Sequence, residues 1–318
     1  MSLPGTAVDG IGPLLPELDG FGRPRLRPEV PILWRGTSSI QLGDDIVLDR
    51  VSRVHVSWLC SLDGLLPPER IEQALPLPVS EARRLLRGLR AAGGLEDAAR
   101  IPGSLRWCPQ PERDAAVRRF ATALSTYRDL DAAFAAMDGR ERTGVFVLGD
   151  GDLATRVRQA LADAGLSIAT EQHAALAILA DGAHPDVPAH FDHDLQDLPH
   201  LPVGVLGSRA SVGPLVVPGR TGCLRCAHLH RRDADPAWPL LAVQWAQAVK
   251  AMALPPVDPL LARLAADHAA LAARTWADAP DRPALWADHA LEFRLPDLHA
   301  RRVSRRPHPL CGCRWAAA

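Results

Sequence analysis

Four of the six cysteines fall in two tight pairs, Cys223/Cys226 in CLRC and Cys311/Cys313 in CGC. Thiolates are soft ligands, and four of them suit the tetrahedron that Zn²⁺ prefers. A site closed by four protein ligands is structural rather than catalytic. Gly222 before the first pair and Gly312 inside the second let the backbone turn tightly around an ion. Cys223, Cys226, Cys311 and Cys313 are therefore the expected ligands of one structural zinc that ties position 223 to position 311. His228, His230 and His308 are nitrogen donors that could replace a cysteine, or else ordinary surface residues. The competing reading is a set of unliganded thiols, or a redox CxxC. The second pair opposes it, and CLRC is not expected at the strand-to-helix junction that a thioredoxin-type motif needs. Cys60, between Leu59 and Leu62 on a helix, reads as core. Nothing singles out Cys108.

A second constellation is the run GVFVL followed by Gly149-Asp150-Gly151-Asp152-Leu153-Ala154. Strand, GxGxxA, helix is the turn of dinucleotide folds, where a helix N-terminus favours phosphate. Glu171 stands near where a ribose-binding acid belongs, about 20 residues on. Two features oppose a bound nucleotide. Asp150 and Asp152 place negative charge where phosphate would sit. Only Glu171-Gln172-His173 separate the strand candidates LSIAT and AALAILAD, whereas a parallel crossover needs about a dozen residues. Three residues span roughly 10 Å at ~3.3–3.6 Å each. The two strands are therefore not parallel neighbours, and no room remains for a segment enclosing a nucleotide.

Other nucleophile, phosphate-loop and zinc-protease motifs are missing: the sequence holds no GK[ST] loop, HExxH or GxSxG. Lys250 is the only lysine among 36 basic residues, so lysine chemistry has a single candidate. Arg83, Arg84, Arg87 and Arg90 line a helix away from its apolar stripe. They read either as a solvated face or as an anion-receptive wall for an acidic peptide. Arg301, Arg302, Arg305 and Arg306 form a basic stretch before the last cysteines, solvated or in contact with a partner. Asp63, Glu69 and Glu72 read as a solvated face.

The elements that must position these residues are legible from periodicity. The 318 residues are 47% hydrophobic and 23% charged with net charge −1, an ordinary globular composition. That balance gives no global field to recruit nucleic acid or an anionic membrane, and no apolar run approaches a membrane span. The first residues carry no base ahead of their apolar positions, so no secretion signal is expected. A cytoplasmic location with reduced cysteines follows. Residues 1–28, rich in Gly and Pro, read as an irregular arm. VPILWR, SIQL and DIVLD are three short strands split by Gly36-Thr37 and Gly43-Asp44. Three helices follow: Val51, Val54, Trp58, Leu59 and Leu62 share one face, Ile71 and Leu75 another, and Ala82, Leu85, Leu86 and Leu89 a third. Gly93-Gly94 stops the last. From Pro111 one long helix is expected to about Met137, ended by Gly139. PVGVL and GPLVVPG read as a hairpin. Asp235-Pro236 opens a helix bearing Trp238, Leu241, Trp245, Val249 and Met252. Another helix spans about 258–276, and ALEFRL is a strand.

At this point the second half becomes familiar. LPVGVLGSRASVGPLVVPGRTGCLRC resembles the zinc-knuckle segment of ubiquitin-activating-enzyme-like (ThiF-like) proteins. LHRRDADPAWPLLAVQWA and HPLCGC resemble the partner proteins of YcaO-type cyclodehydratases, which install azol(in)e heterocycles in ribosomal peptides. The resemblance covers about residues 142–318, and residues 30–95 look like the peptide-recognition element fused to many such partners. It implies an α/β chain in three parts. Residues 1–105 would be a winged-helix-like leader-recognition domain, 106–141 a linker helix, and 142–318 a Rossmann-type ThiF-like domain with structural zinc.

The resemblance also implies a division of labour. The N-terminal element binds the leader of a precursor peptide, a YcaO partner carries out ATP-dependent activation, and the ThiF-like part is a scaffold with no catalytic residue. Adenylating members carry an acidic pair after the second strand, an Asn…Arg-Gln segment and a lysine. Here Glu171-Gln172-His173 stand where that segment should begin, and Lys250 lies far downstream. Leader binding would be strand addition to an edge strand, Ile46, Val47, Leu48 and Asp49, with the third helix (Arg83, Arg87) as the other wall. Docking would raise the concentration of the tethered core at the partner's active site. The alternatives are an adenylating enzyme of the same fold or a nicotinamide- or flavin-dependent oxidoreductase. ThiF-like proteins are often dimers, so the helices at 236–252 and 258–276 could pack on a second copy. Trp238 and Trp245 more simply belong to the core.

Overall fold

The structure is a computed structural model, and it describes residues 14–27, 30–44, 46–100, 110–182, 195, 197–250, 257–279 and 286–313. The chain forms two compact units, 1–135 and 136–318.

In the first unit, turn chemistry cuts the chain where expected. Strands β2 (Ile32–Trp34), β3 (Ser39–Leu42) and β4 (Ile46–Asp49) form an antiparallel meander in the order β2-β3-β4. Register pairs Ile32 with Leu42 and Leu42 with Ile46, which puts those residues on one face. Against them pack α1 (Arg53–Cys60), α2 (Pro68–Gln73) and α3 (Val79–Ala91). The α3 stripe of Ala82, Leu85, Leu86 and Leu89 is fully buried with Leu15, Leu18, Ile40, Leu42 and Leu59. Each buried leucine or isoleucine contributes about 1.5–3 kcal/mol. Val54 departs from the expected stripe of α1 and is exposed, while His55 is buried in its place. Cys60, expected in the core, is the exposed last residue of α1.

Three expectations for this region need correction. The arm is not all irregular: β1 (Pro24–Leu26) pairs antiparallel with β5 (Leu95–Asp97). It is anchored by Arg27, which donates to Gly93 O at 3.0 Å, Ala121 O at 2.9 Å and Ser125 Oγ at 3.1 Å. The long helix is two helices, α4 (Gln110–Tyr127) and α5 (Leu130–Arg142), broken where Arg128 adopts φ +55° and Asp129 accepts from Ala132 N. Gly139 does not end α5. It lies inside the helix, at a point where a Cβ would sit 2.4 Å from Ala277 O, so the packing there requires glycine.

The second unit is a seven-stranded mixed sheet ordered β12-β11-β10-β9-β8-β6-β7. β6 (Gly144–Leu148) lies between β7 (Ser167–Ile168) and β8 (Leu176–Gly182), parallel to both, and β9 (His200–Leu206) continues the parallel part. The β7–β8 link is short because β7 has two residues and both strands begin at the same end of β6. The link bonds across that end, through Ala169 N to Val145 O and Ala175 N to Gly144 O. β10 (Arg209–Val212), β11 (His289–Arg294) and β12 (His299–Ser304) add antiparallel strands. The hairpin partner of β9 is thus Arg209–Val212 rather than GPLVVPG, which supplies only a bridge from Val216 to His200.

One face of this sheet carries α6 (Asp152–Asp163) and α9 (Pro259–Asp278), whose alanine-rich face is buried with Val145, Val147, Val203 and Phe293. Arg140 and Asp278, both buried, form a bidentate ion pair at 2.6 and 2.7 Å. Helix α7 (Leu224–Ala234) leads into α8 (Trp238–Lys250), where Trp238 is buried as expected while Leu240 and Val243 face out. Among the described residues no helix is long and apolar enough to cross a membrane.

Candidate metal centre and peptide edge

The four predicted cysteines converge. Their Sγ atoms all lie within 4.8 Å of one another. Cys223 is 3.7 Å from Cys226 and 3.4 Å from Cys311, and Cys226 is 3.5 Å from Cys313. A zinc with Zn–S near 2.3 Å would set S···S at about 3.8 Å in a tetrahedron. The set can hold a metal ion and is compatible with zinc. None of His228, His230 and His308 is in the cluster.

Local structure explains the convergence. Cys223 is the N-cap residue of α7, and Cys226 lies in its first turn. CLRC opens a helix, but it follows the 217–222 loop rather than a strand, so it is not at a strand-to-helix junction, in line with the sequence reading. Gly312 has φ +74°, the tight turn expected of it. Gly222 serves another purpose: a Cβ there would lie 2.2 Å from Arg305 O. Its absence lets the irregular segment after β12 press against the CLRC loop. Gly222 N donates to Asp288 Oδ1 at 2.9 Å.

His308 orients the second pair. Its Nδ1 accepts from Leu310 N at 3.1 Å, its carbonyl accepts from Cys311 N at 3.0 Å, and its Nε2 donates to Asp233 at 2.8 Å. That bond, with help from Arg232, holds the Asp233 carboxyl below the usual range. Burial opposes ionisation of Cys226, yet contacts with the His308 and Cys223 backbone and with the Cys311 and Cys313 thiols bring it below the ordinary value. Burial, then the Cys223 and Cys226 sulfurs, push Cys311 up. Burial and Cys226 push Cys313 up to about 11. One thiolate makes the next costly, which a cation at the centre would reverse.

In the first unit, β4 is a terminal strand, paired only with β3 among the described residues. Ile46 and Leu48 turn toward the core, and Val47 and Asp49 turn out. α3 lies beside it, with Gly88 so close to Leu48 that a Cβ would meet its side chain at 2.8 Å. The arginines divide differently from the sequence reading. Arg84 reaches β4, donating to Asp49 O at 2.6 Å. Arg83 and Arg87 instead hold the buried Glu17 carboxylate, each at 3.2 Å, and Arg90 donates to Glu17 O at 2.9 Å. Glu72, read as solvated, accepts from Leu15 N at 2.8 Å. Cys108 lies outside the described residues.

At the glycine loop, Gly149 has φ +122°. Arg158 donates to the carbonyls of Val147 at 3.1 Å and Gly149 at 2.7 Å, and Asp152 pairs with Arg156 at 2.7 Å. These cations serve the protein's own oxygens.

The second unit thus belongs to the mixed α/β sheet class, with a tetrathiol centre joining a helix start to the irregular segment after β12. No protein-family profile matches the sequence, and no curated protein sequence matches it. Solved structures share the fold. MccB of E. coli with AMPCPP and MccA matches at TM-score 0.62 and 14% identity, over 91% of this chain and 99% of that one. The heterocyclase TruD matches at TM-score 0.59 and 18% identity, over 92% of this chain and 42% of that one. A heterocyclase with substrate and cofactor matches at TM-score 0.59 and 18% identity, over 88% and 38%. The chain spans about two fifths of the length of those heterocyclases.

Proposed function

We propose that this chain is a non-catalytic adaptor of ribosomal-peptide modification. Its first unit, of winged-helix kind, binds the leader of a precursor peptide. Its second, ThiF-like unit is a zinc-clamped scaffold that presents the core to a YcaO-type cyclodehydratase for azoline formation. The observation that carries the reading is the terminal strand β4 beside α3. An extended leader can add to β4 by backbone pairing, which gives affinity with little sequence demand, while side-chain pockets beside it give specificity. Residues Ile46, Val47, Leu48 and Asp49 remain the proposed contacts. Arg84 replaces Arg83 and Arg87 as the arginine at that edge. The likeness to heterocyclases more than twice as long supports a division in which a separate YcaO chain supplies the activation chemistry.

A second reading, an adenylating enzyme, is favoured by the likeness to MccB over nearly all of that chain, in structures with ATP and AMPCPP. The acidic loop, the internally engaged Arg158 and the short β7–β8 link oppose it here.

The test uses the full chain and a labelled leader from a neighbouring short reading frame rich in Cys, Ser and Thr. Saturable binding in the micromolar range, with slowed amide exchange at β4, is expected. No binding at tens of micromolar removes the adaptor reading. Peptide-dependent pyrophosphate exchange establishes the second.

A further inference from the structure

The outer face of the antiparallel half of the sheet breaks a local rule. Arg209 on β10 stands directly opposite Arg294 on β11, which stands directly opposite His299 on β12. Like charges in directly opposed positions destabilise a sheet. The next row places Ser211 opposite Glu292 and Glu292 opposite Arg301. Glu292 is buried and compensates part of the charge: Arg209 approaches it at 3.1 Å, Arg301 at 3.0 Å and Arg305 at 3.5 Å. One carboxylate therefore serves three guanidiniums. Arg294 has no ion pair among the described residues, and Asp297 is the only other acid at the site. These side chains surround a cavity of about 280 Å³ lined by Arg209, Glu292, Arg294, Asp297, His299 and Arg301.

The cavity adjoins a free edge. β12 pairs only with β11 among the described residues, and it is exposed along almost its whole length. Charge at an edge can simply discourage pairing with another strand. Here the cationic row continues inward to β10, two strands from the edge, where it discourages nothing.

We propose that the β12 edge and this cavity form a docking site for an extended acidic segment of a partner polypeptide. The segment adds to β12 through backbone hydrogen bonds. Its alternate side chains, Asp or Glu, then stand beside His299 and Arg301 on β12, with Arg294 on β11 the next cation inward in the same row, because side chains repeat every second residue on one face. The site lies in the second unit and is independent of leader capture at β4.

The experiment titrates the full chain with a fluorescein-labelled alternating Glu-Val octapeptide, its Lys-Val counterpart, inorganic phosphate and a single-stranded RNA oligonucleotide. Saturable binding of the Glu-Val peptide alone is expected, weakening with salt, with slowed exchange at β12 amides. Arg294→Glu should weaken it at least fivefold and leave the melting temperature nearly unchanged. Arg302→Glu, on the opposite face of β12, should change it less than twofold. If Arg294→Glu does not fold, Arg294→Gln with His299→Gln should give the same loss. Absence of Glu-Val binding overturns the proposal. So do equal losses from Arg294→Glu and Arg302→Glu, or preference for RNA or phosphate over the peptide.

Discussion

Gly222→Ala changes no ligand yet should loosen the metal centre. The added Cβ would lie 2.2 Å from Arg305 O and 2.9 Å from the Arg306 carbonyl carbon. Carbon and carbonyl oxygen rest at about 3.3 Å or more, so the two segments must part by roughly 1 Å. Both clashing atoms are backbone and cannot rotate away. The displaced segments carry Cys223 on one side and Cys311 on the other, while metal–ligand distances tolerate only about ±0.2 Å. Overpacking of this kind costs about 1–3 kcal/mol, which corresponds to roughly a 5- to 150-fold loss of metal affinity if the strain is relieved on release. Competition with a chromophoric zinc chelator measures that loss directly. Thermal melts with and without EDTA should show the variant's metal-dependent stabilisation shrinking. Gly36→Ala, where a Cβ meets nothing within 4 Å, is the silent control. Zinc affinity within twofold of wild type, with an unchanged melt, would refute the argument that Gly222 exists for close approach.

Further outcomes follow from the same geometry. Cys311→Ser should abolish stoichiometric zinc and destabilise the second unit, read by metal analysis and proteolysis, because metal binding contributes folding free energy directly. Burial lowers the His200 pKa, its hydrogen bond to Leu198 O only partly offsetting this. The unfolded chain therefore binds the proton more readily, and stability should fall as pH drops from the ordinary value of about 6.5. His200→Asn should flatten that dependence relative to wild type in parallel melts from pH 7 to 5. Asp278→Asn strands the buried Arg140 charge and should cost about 3–5 kcal/mol in denaturant unfolding. Replacing both partners by apolar residues of similar size should cost far less.

What the sequence disclosed depended on how local the cause was. The cysteines were legible because their ligand chemistry is written in residue type and spacing. β2, β3 and β4 were legible because Gly36-Thr37 and Gly43-Asp44 punctuate them, and α3 because its apolar stripe repeats with the helical period. The misses have distant causes. β1 finds its partner about 70 residues on, at β5. β12 reads HARRVS, with no apolar alternation, since it is an exposed edge. Gly139 answers to Ala277, and Arg83 and Arg87 answer to Glu17. The break at Arg128 has no glycine or proline to announce it.

A metal held by the thiol cluster would give the second unit a built-in completeness check. Cys223 and Cys226 lie at the start of α7 and Cys311 and Cys313 beyond β12, so α8, α9 and two sheet strands are synthesised between the first pair and the second. A nascent chain stalled anywhere before position 311 has Cys223 and Cys226 but no counterparts, and cannot close the ion's coordination shell. Under the proposed zinc clamp, the ion would close on the second unit only after translation has passed that point, and truncated products should be digested faster than the full chain in limited proteolysis.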